Sequence, residues 1–444
     1  MKSRNILIIW LFPIVLFGQK REKMIIVSHF SFVPHLSVYA DGKAADNIDC
    51  TIISVDSTDD FSSIKAKIDD LYSRFNADFL LLVGDNQHIP AYKMGEGLSD
   101  IHYCFDNEDN PRMCVGRFSV ETIQDLQTMI DRSLVRKPFS KQVVGIGSYH
   151  KSELTQRRDY EQIRFMGEQL QSKGFVSVLE LSGSPNGNPS YSDVVAALQA
   201  GASWLNYAGY GSYDGWNTSG FESRHIDSLP DDVELPVILS ASCLGGHFAN
   251  RTCFAEKWLR STRNGKPIGA VAAIMSSSLT DWDATLSAML LLCENAPQTH
   301  LNCRLGDLYL QGYRYIIDSL QRPKDAQCWI LFGDPSLWIY PKKNENIIFQ
   351  TDHSPTLSPI VYPNPTTGEL RIANCGLPIE TIEIYNIAGK LQNANSAFKG
   401  GNDVLIDVSH LPAGIYFLKI KIKDNMFVRK EAVFFVRFIR LFSF

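Results

Sequence analysis

From Met24 onward, short apolar, β-branched runs alternate with stretches of helical period. MIIVSHF (24–30) and CTIISV (50–55) read as strands, and the helix that follows carries Phe61, Ile64, Ile68, Leu71 and Phe75 on one face. DFLLLVG (78–84) is apolar throughout, as a strand covered on both faces must be. MCVGR (113–117) and a helix from about Val120 to Arg136, with Leu126, Met129, Ile130 and Leu134 in register, close this series. A second series runs QVVGIG (142–147), a helix around residues 156–172, FVSVLEL (175–181), a short helix near 191–199, SWLNYAG (203–209), PVILSAS (236–242), a helix near 253–263 and GAVAAIMS (269–276). Strands alternating with helices predict α/β architecture: two doubly wound parallel-sheet units, residues 20–140 and 141–340, with helices on both faces.

The pattern changes class after that. Residues 341–358, PKKNENIIFQTDHSPTLS, lose periodicity and read as a linker. Beyond them VYPNPTTGELRI, IETIEIYNIAGKL, NDVLIDVSHLPAGIYFLKIKI and MFVRKEAVFF alternate apolar and polar positions between turn residues, which predicts a small all-β sandwich over 359–437. An apolar tail, 438–444, follows it.

At 444 residues the chain is long enough for two or three domains, and 45% apolar with 20% charged residues is globular composition. A net charge of -5 supplies no polycationic surface, so nucleic acid is set aside as a partner. Residues 1–19, MKSRNILIIWLFPIVLFGQ, set Lys2 and Arg4 before an apolar stretch from Ile6 to Phe17 that ends near Gly18, the layout of an export signal. A membrane anchor is the alternative, but about 12 apolar residues broken by Pro13 fall short of the ~20 that span a bilayer. The 9 cysteines of an exported chain permit disulfides, and Cys104/Cys114, Cys243/Cys253 and Cys293/Cys303 each stand ten apart, a spacing that does not fix connectivity. No CxxC or Cys/His pair has zinc-site spacing, and no zinc is expected.

Ligands of open parallel sheets bind beyond the carboxyl ends of strands, so the residues just after an apolar run come first. Two such ends carry flanking glycines: Gly209-Tyr210-Gly211-Ser212 after SWLNYA, and Cys243-Leu244-Gly245-Gly246 after PVILSAS. A cysteine there is either a nucleophile, which needs a base or a lowered pKa, or a small buried apolar residue that ends a strand. A flavodoxin-like cofactor domain is disfavoured, because no glycine-rich phosphate loop follows the first strand.

DFLLLVGDNQHIPAY, SDIHY, CVGRFSVETIQDLQTMIDR, WLNYAGYGSYDGWNTSGF, LPVILSASCLGGHF and FAEKWLRSTRNGKPIGAVAAI occur in an order that resembles the gingipain family of cysteine peptidases, over residues 22–340. The resemblance implies a caspase-like α/β fold with Cys243 as nucleophile and the backbone N–H groups of Gly211 and Cys243 as oxyanion hole. It also implies Trp216 as pocket wall, and it puts Tyr210 at the position of the catalytic histidine. A phenol, with a reference pKa of about 10, is protonated at pH 7 and cannot act as imidazole does. The expectation is an impaired peptidase, with an inactive peptide- or protein-binding module as the alternative. His247, four residues beyond the nucleophile, and His225 are candidate substitute bases. The loop Asp106-Asn107-Glu108-Asp109-Asn110 reads as calcium ligands from Asp106, Glu108 and Asp109 or as a solvated acidic turn; no other cofactor is expected. Asp100 in SDIHY is a second carboxylate that matches the family, and its plain reading is a helix or turn cap. VYPNPTTGEL and LPAGIYFLKI resemble the sorting domain of Bacteroidetes proteins exported by type IX secretion. That implies passage through the periplasm and outer membrane to the surface or medium, with the secretion machinery as a partner.

Overall fold

The computed structural model describes residues 21–134, 141–232, 234–296 and 303–339, together with seven strand segments between 360 and 433. The expected export signal, linker and apolar tail lie outside the described residues. Two compact units divide the chain, the first through Ile347 and the second from Ile348.

Ten strands build the main sheet of the first unit: β1 Glu22–His29, β2 Ile48–Val55, β3 Phe79–Val83, β4 Cys114–Phe118, β5 Gln142–Gly147, β6 Ser177–Ser182, β7 Trp204–Ala208, β8 Val237–Ala241, β9 Ala272–Ser276 and β10 Trp329–Phe332. They form one sheet in the order β2-β1-β3-β4-β10-β9-β8-β7-β5-β6. The two predicted units are therefore halves of a single sheet. β10 joins them, pairing antiparallel with β9 and parallel with β4 through Phe332 and Arg117. Strand direction thus reverses at this seam, and the carboxyl ends of β5, β7, β8 and β9 share one edge.

Nine helices are named here: α1 Ser37–Ala45, α2 Phe61–Phe75, α3 Ile123–Leu134, α4 Asp159–Ser172, α5 Tyr191–Gln199, α6 Ser223–Ile226, α7 Phe254–Arg260, α8 Trp282–Asn295 and α9 Leu305–Asp318. Local chemistry sets their ends. Asp60 caps α2 by accepting the Ser63 N–H, and Asn76 ends it in the left-handed conformation. Ser190 and Asp193 cap α5 reciprocally. The helices cover both faces of the sheet and give two cores. Ile25, Leu80, Trp204, Leu239 and Trp329 face one, and Ile26, Leu81, Leu205, Ile238 and Ile330 face the other.

In the second unit, strands Ile360–Tyr362, Glu369–Ala373 and Val404–Asp407 form one antiparallel sheet. Strands Leu391–Ser396, Ile379–Asn386, Gly414–Ile422 and Asn425–Val433 form a second. Ile382, Ile384, Ile406 and Leu418 are buried there, in agreement with the alternating pattern.

Candidate active site

Sheet register lines up three chain segments. Gly147 of β5 and Ala241 of β8 both pair with Ala208 of β7, so the chain leaves the sheet at one level on three adjacent strands. Tyr210 follows β7, Cys243 follows β8, and His150 follows β5. Tyr210 is therefore in the middle of the row.

Glycines make the approach possible. Gly209 has φ 154, a conformation closed to other residues, and a Cβ on it would lie 2.4 Å from Thr218 Oγ1. A Cβ on Gly211 would lie 2.7 Å from Ser242 Cβ and 2.8 Å from the Cys243 carbonyl oxygen. The Gly211 backbone is thus packed against Ser242 and the Cys243 carbonyl. The Tyr210 backbone is held on both sides: its N–H donates to Thr218 Oγ1 (3.2 Å), and its carbonyl accepts from the Tyr207 hydroxyl (2.6 Å) and the Asn217 N–H (2.9 Å). Its ring is 55% exposed.

Cys243 begins a tight turn. Leu244 adopts φ 64, and the Leu244 and Gly246 N–H groups donate to Ser278 and Ser276 carbonyls just past β9. The thiol is half-buried and donates to the Thr280 carbonyl at 3.3 Å. All eight described cysteines are free thiols. Cys50 and Cys303 are also half-buried, but burial pushes their thiols up to about 12 and about 11.

Two residues that sequence reasoning missed complete the cleft. Trp282, first residue of α8, meets the Tyr210 ring edge-on at 4.8 Å, and His150 meets Trp282 at 4.9 Å and Tyr210 at 6.1 Å. Both follow a strand on the shared edge, so the strand-end rule that found Tyr210 and Cys243 also points to them. Beneath His150 lies Asp159. It is fully buried, accepts from Ser148 Oγ at 2.5 Å, and has its pKa pushed up to about 6 by burial. The buried Trp282 indole N–H faces the Asp159 carboxylate and favours its charged form. A cavity of about 570 Å³ opens beside Tyr210, lined by Ser148, Tyr149, His150, Asn188, Asn217 and Thr218 among others.

Other expected site residues are placed elsewhere. Trp216 is only 1% exposed. Its Nε1 donates to Ser240 Oγ (3.0 Å), and its ring stacks on Tyr207 at 4.5 Å and packs on Phe254 and Trp258, so it is a core residue and not a pocket wall. His225 sits on α6, where its Nδ1 accepts the Glu222 N–H (2.9 Å) and its ring stacks on Tyr191, which commits it away from the cysteine. Residues 244–247 form a turn rather than a helix, and His247 Nδ1–H donates to the Ser277 carbonyl at 2.7 Å beside Tyr213. Neither histidine contacts the thiol. Asp100 does not use its side chain as a cap; it pairs with buried Arg117 through two hydrogen bonds of 2.7 and 2.8 Å. Arg117 in turn donates to the Gly84 and Ile89 carbonyls, which fixes the loop after β3. In the acidic loop, Asp106 Oδ1 accepts from the N–H groups of Glu108 and Asn110, both at 2.9 Å. Among the described residues no three His, Cys, Asp or Glu side chains converge as a metal site, and Asp106, Glu108 and Asp109 form no such cluster.

Residues 18–340 match the sequence pattern of peptidase family C25. The chain belongs to peptidase family C25. Residues 360–433 of this C25 chain match the secretion system C-terminal sorting domain. Gingipain R2 of Porphyromonas gingivalis is 30% identical over 280 residues, which cover 59% of this chain and 37% of that protein. Gingipain R1 of the same species is 29% identical over 280 residues, covering 59% of this chain and 28% of that protein. The chain thus spans little more than a third of the curated relatives' length at most. The crystal structure of the Arg specific cysteine proteinase gingipain R superposes with a TM-score of 0.68 at 21% identity, over 94% of this chain and 99% of that one. A complex of the pro- and mature domains of RgpB from Porphyromonas gingivalis gives 0.65 at 20% identity, over 93% and 100%. The α/β fold is therefore the gingipain fold. The sorting domain and the gingipain relatives point to export to the cell surface or extracellular space.

Proposed function

We propose that this protein is a secreted cysteine peptidase that forms an acyl-enzyme on Cys243, weakened because Tyr210 stands where the family pattern calls for histidine. The observation that carries the reading is the close packing of Gly211 against Ser242 and the Cys243 carbonyl at the strand end that bears the thiol, which sets the two backbone segments of the expected oxyanion hole side by side. Attack of that sulfur on a peptide carbonyl places negative charge on oxygen, and two preorganised N–H donors stabilise it. Proton transfer is the deficient step. On its own a phenol donates a hydrogen bond at pH 7 and does not hold the thiol proton as imidazole would, and such assistance is worth about 10² to 10⁴ in rate. Substrates carry a basic side chain, with Asp159 as its counterion: the carboxylate is buried close to the cleft, and the structurally similar gingipain R is described as Arg specific.

A second reading is supported by the Cys243 thiol, which donates to the Thr280 carbonyl and not to a base. On that reading the cleft binds peptides or surface proteins without cutting them. Treatment of purified protein with an arginyl peptide chloromethyl ketone separates the two. Modification of Cys243, located by peptide mass spectrometry and absent in Cys243→Ala, supports the peptidase; no modification even at pH 9 rejects it in favour of binding alone. Release by the type IX secretion machinery is proposed from the sorting domain.

A further inference from the structure

We propose that His150 is the proton acceptor of this cleft and draws the proton of Cys243 through the phenol of Tyr210. This rests on Cys243 being the nucleophile. His150 is exposed just past the end of β5, and among the described residues its imidazole meets the rings of Trp282 at 4.9 Å and Tyr210 at 6.1 Å. Strands β5 and β8 flank β7, so the residues level with one another on β5 and β8 are about 10 Å apart, two strand spacings. The imidazole does not reach the sulfur directly. Tyr210 lies between, and both it and His150 line the same cavity.

A phenol suits that position because its oxygen accepts one proton while giving up another. In the forward step the S–H bond breaks as sulfur attacks the substrate carbonyl carbon, the proton passes to Tyr210 Oη, and the phenol's own proton passes to a ring nitrogen of His150. The phenol ends neutral, the imidazole ends as imidazolium, and the carbonyl electron pair moves to oxygen facing the Gly211 and Cys243 amides. The return step runs the same path and delivers the proton to the departing amine.

The charged groups around His150 favour this role. Asp159 donates its backbone N–H to the His150 carbonyl, and its carboxylate is electrostatically coupled to the imidazole. Asp283 of α8 accepts the Leu154 N–H on the Trp282 side. Lys151 follows His150 in the chain, while Arg158 lies over the Tyr149 ring with its guanidinium bonded to the Tyr149 carbonyl.

His150 acts through Tyr210, so it is a positioning residue, and the test must report protonation as well as structure. The probe is iodoacetamide, with alkylation of Cys243 followed by peptide mass spectrometry from pH 5 to 10. The wild-type rate is expected to rise at lower pH than the rates of His150→Gln, His150→Phe and Tyr210→Phe, each of which breaks the relay. At pH 7 the variants should react about tenfold more slowly. His150→Phe preserves the ring contact with Trp282, so its agreement with His150→Gln assigns the effect to the ring nitrogens. A wild-type profile reproduced by both His150 variants overturns the proposal while leaving Cys243 as nucleophile. A His150 effect that persists undiminished in Tyr210→Phe overturns the phenol path. Failure of the chloromethyl ketone to modify Cys243 at pH 9 would instead remove the peptidase reading beneath it.

Discussion

Replacing Asp159 by asparagine should make the protein more stable and a poorer enzyme at once. Asp159 is fully buried, and burial raises its pKa from 3.8 to about 6. The fold therefore holds the proton more tightly than the unfolded chain does. Stability from this group is full below about pH 4, is lost as the pH rises through 6, and stays lost above it. A shift of about two units corresponds to roughly 3 kcal/mol as a ceiling. Asparagine keeps an oxygen for the Ser148 hydroxyl and does not ionise, but its amide group near Trp282 Nε1 recovers only part of that sum. We expect a gain of about 1 to 2 kcal/mol at pH 7.5, a rise in Tm of a few degrees, and a gap that closes as the pH is lowered to 4. Thermal melts at half-unit pH steps read this directly. Hydrolysis of arginyl and lysyl peptide substrates should fall at least tenfold in kcat/KM, about 1.4 kcal/mol of transition-state stabilisation. A Tm difference that is constant from pH 4 to 8, or activity unchanged toward basic substrates, would refute the reasoning.

Three further outcomes follow from the same geometry. Tyr210→His restores an imidazole beside Cys243 on a backbone already held by Thr218, Tyr207 and Asn217, and peptide hydrolysis should rise about tenfold or more, with all of the gain lost in Cys243→Ala. Trp216→Ala should cost about 3 to 5 kcal/mol in a denaturant melt, as a buried core indole does, whereas Trp282→Ala should cost far less stability and slow modification of Cys243 by the arginyl chloromethyl ketone; the reverse order would restore Trp216 to the pocket. A chain ending at Ile347 should fold but accumulate in the periplasm, since the sorting module forms its own compact unit; normal delivery to the medium on cell fractionation would contradict that role.

What could be read from sequence was what local pattern encodes. Apolar runs located β5, β7 and β8, and the strand-end rule then found Tyr210 and Cys243 because glycines mark both turns. His150 and Trp282 carry no such mark. They join the cleft through sheet register and through the start of α8, relations between segments 60 or more residues apart. Trp216 misled because a tryptophan after a glycine-rich turn looks the same whether it faces the cleft or Ser240. Helices α8 and α9 and strand β10 lie beyond the last element that the pattern yields. α8 is buried on almost every side, from Asp283 through Met289 and again at Leu292 and Cys293, so it lacks the polar face that periodicity needs. β10 is four residues long, and its importance comes only from its neighbours.

Those neighbours give β10 a temporal meaning. It is the last strand of the body to be made and the one strand that touches both halves of the sheet. Until residue 332 has emerged, β4 and β9 each present an open row of amide and carbonyl groups, and neither half is sealed. The same arrangement makes premature termination hazardous: a fragment that stops before Trp329 carries two sticky margins and is set to aggregate rather than to fold as a smaller enzyme.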